Sequence, residues 1–390
     1  MALHPELGYF DEGLDLTDPA IYETARAASG QASILPPVAY RSRIFSELED
    51  EKIWTRLWCC IGTTQQLADV GDLLPYTLGN HGIHVQREAD GFVGRFNFAQ
   101  HGGCRSIPAQ CQTGMKTKCS YTSCGYSRDR DVVRIAEVDD DTPVLRHFVG
   151  DMPERMLPVR VDTWAGHLFV NVDQNAGTLA EQLAGLDVAV GTNFSTHQDK
   201  AGFWQNLDGN WKVLAGAVVD AVAADIEAQG GPTAIEPVPD AMAAEPAPAF
   251  AMVRSRAGEG SRVFVWVFPN LMIDLDGPWC TTIIIQPTGL DEAMARVRVA
   301  VDSAACTDAA AVTEREETWR ARLTTANETA LKDHRIFEDW GTPHSPETSL
   351  EKLPDAPGGA AYVFQRYMVD RLLTEYEYVW NAPLYTNARR

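Results

Sequence analysis

Asn97–Tyr126 reads NFAQHGGCRSIPAQCQTGMKTKCSYTSCGY and holds four of the eight cysteines of a 390-residue chain. They are Cys104, Cys111, Cys119 and Cys124, and His101 stands three residues ahead of the first. Tetrahedral zinc takes four thiolates, or three thiolates and an imidazole, and ties loops together without any redox change. Successive cysteines are seven, eight and five residues apart, which matches no standard zinc module. Two readings stand. One is a structural zinc on Cys119 with two or three of Cys104, Cys111, Cys124 and His101; the other is free thiols that fill space as small hydrophobes.

Outward from this stretch, composition narrows the classes of function. Lys plus Arg number 33 against 54 Asp plus Glu, a net charge of −21. Nucleic acid and anionic membrane would both repel such a chain, so neither is an expected partner. The length suits two domains, or one large domain with an insertion. The opening MALHPELGYFDEG has no basic segment followed by an apolar run, so no secretory leader is expected. The apolar run near Leu214–Ala224 is broken by Asp220 and is too short to span a bilayer. A cytoplasmic protein is expected, and there the adjacent Cys59 and Cys60 argue against a disulfide framework.

Residues 1–38 read as an arm with one short helix near Ala20–Ala28. From Tyr40, the segment YRSRIFSELEDEKIWTRLWCCIG sets Ile44, Phe45, Leu48, Ile53, Trp54, Leu57 and Trp58 at helical spacing. A helix there turns Glu47, Glu49, Asp50 and Glu51 outward. Residues 60–165 read as short strands punctuated by Gly71-Asp72, Gly79-Asn80 and Asp90-Gly91, and GHLFVNVD at 166–173 as a buried strand. Between Val213 and Val253 the chain is Ala- and Pro-rich and carries acids but no Lys, Arg or His. Ser261–Asp274 and Thr281–Pro287 return to strand character. A long helix is expected over Trp319–Trp340, a strand over AYVFQRYM at 361–368, and a last helical piece at Val369–Tyr378. Trp211, Trp266 and His167 read as core residues.

Four landmarks in order, IFSELEDEKIWTRLW, WAGHLFVNVD, GNWK and VFPNLMID, resemble the large (alpha) subunit of Rieske non-haem iron oxygenases over nearly the whole chain. The resemblance implies an α+β fold. An all-β Rieske-like domain, 39–165 with its leading helix, is inserted in an antiparallel-sheet, helix-grip catalytic-type domain, 166–390. It also implies two metal sites, and this sequence departs from both. In the family's C-x-H…C-x-x-H pattern, His101 and Cys119 fall on ligand positions, but Ala99 and Thr122 replace a Cys and a His. A Rieske [2Fe–2S] centre needs two thiolates and two imidazoles. In the D-x-x-H motif after N-W-K, Asp220 takes the carboxylate position while Ala223 and Ala228 replace the two His. Asp333 in ALKDHRIFEDW takes the distant carboxylate position. The neighbouring His334 points about 100° away from it if both lie on a helix.

Neither an ordinary Rieske cluster nor a mononuclear iron is therefore expected, and Asp220 and Asp333 read as relict iron-site positions. The expected function is a catalytically silent, structural or regulatory subunit of a Rieske-type oxygenase system. Its expected partner is an intact oxygenase homologue, in a trimer or a stacked hetero-hexamer. Two alternatives remain open: an active oxygenase component with remodelled metal sites, or a small-molecule binding protein that uses the old substrate cavity. Restoring His at 223 and 228 is expected to improve iron binding beside Asp333.

Overall fold

The computed structural model describes residues 8–99, 132, 134–137, 156–191, 194–229, 233–236, 248–255, 262–305, 308–339, 353, 355 and 358–375. Longer elements are numbered in chain order. The strands are β1 Cys59–Thr63, β2 Leu73–Leu78, β3 His81–Glu88, β4 Gly91–Ala99, β5 Met156–Trp164, β6 His167–Asn171 and β7 His197–Asp208. They continue as β8 Thr233–Glu236, β9 Phe250–Ser255, β10 Val263–Val267, β11 Leu271–Asp276, β12 Trp279–Pro287 and β13 Glu292–Asp302. The helices are α1 Arg43–Glu49, α2 Trp211–Ala228, α3 Ala309–Asp339 and α4 Gly359–Leu372.

Two compact units divide the chain at Ile53/Trp54 and Gln182/Leu183. Sequence alone places those boundaries at 38/39 and 165/166. β6 pairs with β1 and β5, so GHLFVNVD stays with the sheet of the second unit. The leading helix joins the other unit because Glu49 on α1 meets Lys212 on α2 at 2.8 Å.

The unit within Trp54–Gln182 is an antiparallel six-stranded sheet in the order β1-β6-β5-β4-β3-β2. Its hairpins form where turn residues permit. Leu78 faces His81 across the two-residue loop Gly79-Asn80, and Gly79 adopts φ 53°, a conformation glycine enters without a Cβ clash. The other unit is built on an antiparallel seven-stranded sheet in the order β8-β9-β10-β11-β12-β13-β7. β10 and the first five residues of β11 are buried throughout, so they read as near-continuous apolar runs rather than alternating ones, interrupted by Asp274, which Arg262 and Arg315 hold at 2.8 Å. Together they are the α+β fold with antiparallel sheets that the landmarks imply.

Helices pack on this second sheet through an aromatic core. Phe364 of α4 stacks on Trp266 of β10 with ring centroids 4.2 Å apart and meets Trp211 of α2 edge-on at 5.6 Å. AYVFQRYM is therefore helix, not strand. Tyr, Val and Phe favour strands, but Tyr362, Val363, Phe364, Gln365, Tyr367 and Met368 are all buried, and burial on several sides of a helix overrides that preference. A second expectation also fails. Glu49 and Asp50 are buried rather than turned to water, Glu49 because Lys212 and the Trp211 indole both reach it.

Candidate functional site

The GNWK landmark is a helix start. Gly209 takes φ 118°, and the Asn210 side chain accepts the Lys212 backbone N–H while its amide donates to the Tyr40 and Leu290 carbonyls. Trp211 then enters the core. The Lys212 ammonium, buried over the rings of Tyr40 and Phe45, is held by Glu49. Burial pushes the Lys212 pKa down, and Glu49 opposes that shift.

From this start α2 runs beside α3 and α4, and small residues face one another. Gly216, Ala217 and Ala221 of α2, Ala326 of α3 and Ala361 of α4 leave a cavity of about 510 Å³. Ile34, Leu35 and Tyr40 of the N-terminal arm close part of it, and Phe337, Phe364 and Met368 add apolar wall. Its polar groups include Asp220, Asp333, Asp355, Thr329 and Gln365.

The structure thus brings Asp220 and Asp333 to one cavity. Neither makes a hydrogen bond or ion pair among the described residues. Both residues are exposed, although protein packs close enough to each carboxyl to desolvate it in part. That packing raises the Asp220 pKa to about 6, first by desolvation and then by the nearby Asp333 carboxylate. Desolvation also raises Asp333, and Lys332 opposes it. A neighbour on α2, Asp225, is not part of the site: it is bound by Arg322 of α3 at 2.9 Å.

The donors in this wall do not fit the family's mononuclear iron, which takes two imidazoles and a carboxylate. No imidazole lines the cavity among the described residues. Nor does any trio of His, Cys, Asp or Glu converge among them. His334 is buried, but it faces the turn before α2, with its Cβ 3.9 Å from where a Cβ on Gly209 would stand. Ala223 and Ala228 lie outside the cavity wall, on a helix that runs unbroken from Trp211 to Ala228. Five residues along an unbroken helix leave them roughly 140° apart in rotation and about 7.5 Å apart in rise. His at both positions would have to reach the cavity from different sides of α2 to improve iron binding there. At the cluster, Ala99 ends β4 opposite Met156. His101, Cys104, Cys111, Cys119, Thr122 and Cys124 lie outside the described residues.

Comparison with known proteins gives the ancestry. The oxygenase subunit of carnitine monooxygenase from Escherichia coli is 24% identical over 161 residues, 41% of this chain and 42% of that one. Its counterpart from Acinetobacter baumannii is 25% identical over 183 residues, 46% and 48% of the two chains. The alpha subunit of benzene 1,2-dioxygenase from Pseudomonas putida is 26% identical over 146 residues, 37% and 32%. This chain is homologous to Rieske-type oxygenase subunits. The alignments span less than half of those relatives' length, and no family model matches the chain. Solved structures extend the fold across it. The quaternary ammonium Rieske monooxygenase CntA with gamma-butyrobetaine superposes with a TM-score of 0.62 at 16% identity, covering 91% of this chain and 98% of that one. Naphthalene 1,2-dioxygenase from Rhodococcus gives 0.57 at 15% identity, covering 88% and 95%.

Sequence reasoning reached Asp220 and Asp333 through the landmarks but missed Gln365, Thr329 and the arm residues Ile34 and Leu35. The one available signal for Gln365 was a lone amide in an apolar run. No described helix is long and apolar enough to cross a membrane.

Proposed function

We propose that this chain is an oxygenase component of the Rieske class whose metal sites are remodelled and whose α2–α3–α4 cavity holds a small organic cation. The observation that carries this is the Asp220–Asp333 pair: two carboxylates with no hydrogen-bond or ion-pair partner among the described residues, on one largely apolar cavity. A volume near 510 Å³ lies in the range of small-molecule sites. Tyr40, Phe337 and Phe364 offer ring faces and edges for the organic part. Two relatives point the same way, one named for carnitine and one for quaternary ammonium compounds. The open cavity favours a ligand-taking component over a purely structural subunit.

The chain's own residues account for binding and orientation. Two like charges on one cavity repel each other, and a cation between them relieves that repulsion while the apolar part of the wall takes its organic part. No step is assigned to iron, since the described residues of the wall supply no imidazole pair. Calorimetric titration with choline and with its neutral tert-butyl isostere tests the proposal. The cation is expected to bind at least about tenfold more tightly, a difference of about 1.4 kcal/mol. Equal binding of the two, or saturable binding of neither, would reject it.

A second reading, a silent subunit beside an intact homologue, rests on Ala223 and Ala228 at the positions of the two His. Its test is co-purification with a co-expressed oxygenase homologue. Failure to co-purify, with that homologue's yield unchanged, counts against it.

A further inference from the structure

Gln365 is buried in the cavity wall, and its Nε2 donates to two carbonyls of the N-terminal arm, Ala25 O at 3.0 Å and Ser33 O at 2.8 Å. Carbonyl oxygens only accept, so the amide orientation is fixed and both N–H groups are used. What remains for the cavity is Oε1, to which no described residue donates. Thr329 also lines the cavity but, unlike Gln365, is exposed. Its hydroxyl donates to the Thr325 carbonyl at 3.1 Å, which leaves lone pairs for the cavity.

Asp220, Asp333 and Asp355 complete a wall rich in acceptors. Lys212, the wall's ammonium, is engaged by Glu49. The Tyr40 hydroxyl oxygen is engaged by the Leu35 backbone, and the Thr325 hydroxyl can turn either way. A quaternary ammonium carries charge but no N–H, so it would cover Gln365 Oε1 and Thr329 Oγ1 without hydrogen-bonding them. A protonated primary or secondary amine satisfies both charge and acceptors.

We infer that the cavity selects an N–H-bearing ammonium over a quaternary one, with Gln365 and Thr329 as the specificity-determining residues. This inference rests on the proposed function in taking the ligand to be an organic cation. It departs from the relative named for quaternary ammonium compounds, and free acceptors in the wall are what separate the two classes.

A matched pair of ligands tests it: n-butylammonium and n-butyltrimethylammonium, titrated into the full chain above pH 7. The primary ammonium is expected to bind at least about tenfold more tightly, because hydrogen bonds to charged groups outweigh the extra methyl burial. Thr329→Val keeps the side-chain shape and removes one acceptor, so it should cut that preference about threefold, within the range for one hydrogen bond. Gln365→Leu should cut it too. If loss of the arm bonds leaves Gln365→Leu unfolded, Thr329→Val still decides the matter. Equal or tighter binding of the quaternary ion, or an unchanged preference in Thr329→Val, overturns the selectivity while leaving the cation site standing. Binding of neither ion overturns the cation site as well.

Discussion

Asp220 concentrates the site's electrostatics in one side chain. Its folded pKa, about 6, lies above the ordinary carboxylate value of 3.8, so the native state holds the proton more tightly than the unfolded chain. Stability should therefore fall as pH rises from about 4 to about 6 and level off above that. Cation affinity should move the other way, rising through pH 6 as the carboxylate ionises, while Lys212 stays paired with Glu49. Asp220→Asn should raise the neutral-pH Tm and flatten the pH dependence of affinity; an affinity that still climbs through pH 6 in that variant would assign the effect to Asp333. His84 on β3 is the opposite case. It is fully buried, neither ring nitrogen has a partner among the described residues, and burial followed by the nearby Arg95 charge pushes its pKa down to about 3. Unfolded histidine titrates at 6.5, so stability should be lost progressively as pH falls from 6.5 towards 3. Melting curves of His84→Phe should show weaker acid destabilisation, and a slope equal to that of the native chain would refute the assignment.

At the scale of elements, the cavity exists because three helices present small side chains to one another. Ala217→Leu on α2 should fill part of it. Ligand binding should be lost while stability is unchanged or raised by up to about 1 kcal/mol, as in other cavity-filling changes. Calorimetry and thermal melting of the same sample separate the two effects, and loss of both together would mean that α2 had been displaced. Much of this layer was legible in the sequence. Helical spacing from Tyr40 and over Trp319–Trp340 found true helices, although α3 begins ten residues earlier, at Ala309. The Asn210-Trp211-Lys212 landmark marked a capped helix start. Two things were not legible. Glu49 looked solvated because its partner Lys212 is 163 residues away, and AYVFQRYM looked like strand because its residue types favour one. The cavity was also invisible: its wall is drawn from residues 34–40, 212–221, 325–337 and 355–368, each unremarkable alone.

The described residues keep a fold like that of the Rieske oxygenases, while the sequence has Ala99, Thr122, Ala223 and Ala228 where the resemblance implies ligands. The four positions are divided between the two units. A [2Fe–2S] centre of the Rieske kind needs two imidazoles on one iron, and the sequence retains one His, His101, among its four ligand positions. The purified chain should therefore lack Rieske absorption even after anaerobic reconstitution with iron and sulfide. Any metal at Cys104, Cys111, Cys119, Cys124 and His101 should be zinc, whose tetrahedral preference suits mixed sulfur and nitrogen donors. Metal analysis with chelation decides between this and free thiols. Stoichiometric zinc, with a lower Tm on chelation, supports the bound site, because metal binding energy is also folding energy. Zinc at background level with an unchanged Tm supports the thiols. Stoichiometric iron with a reversible one-electron signal would overturn both, and would make the chain an oxygenase that carries its own electron donor.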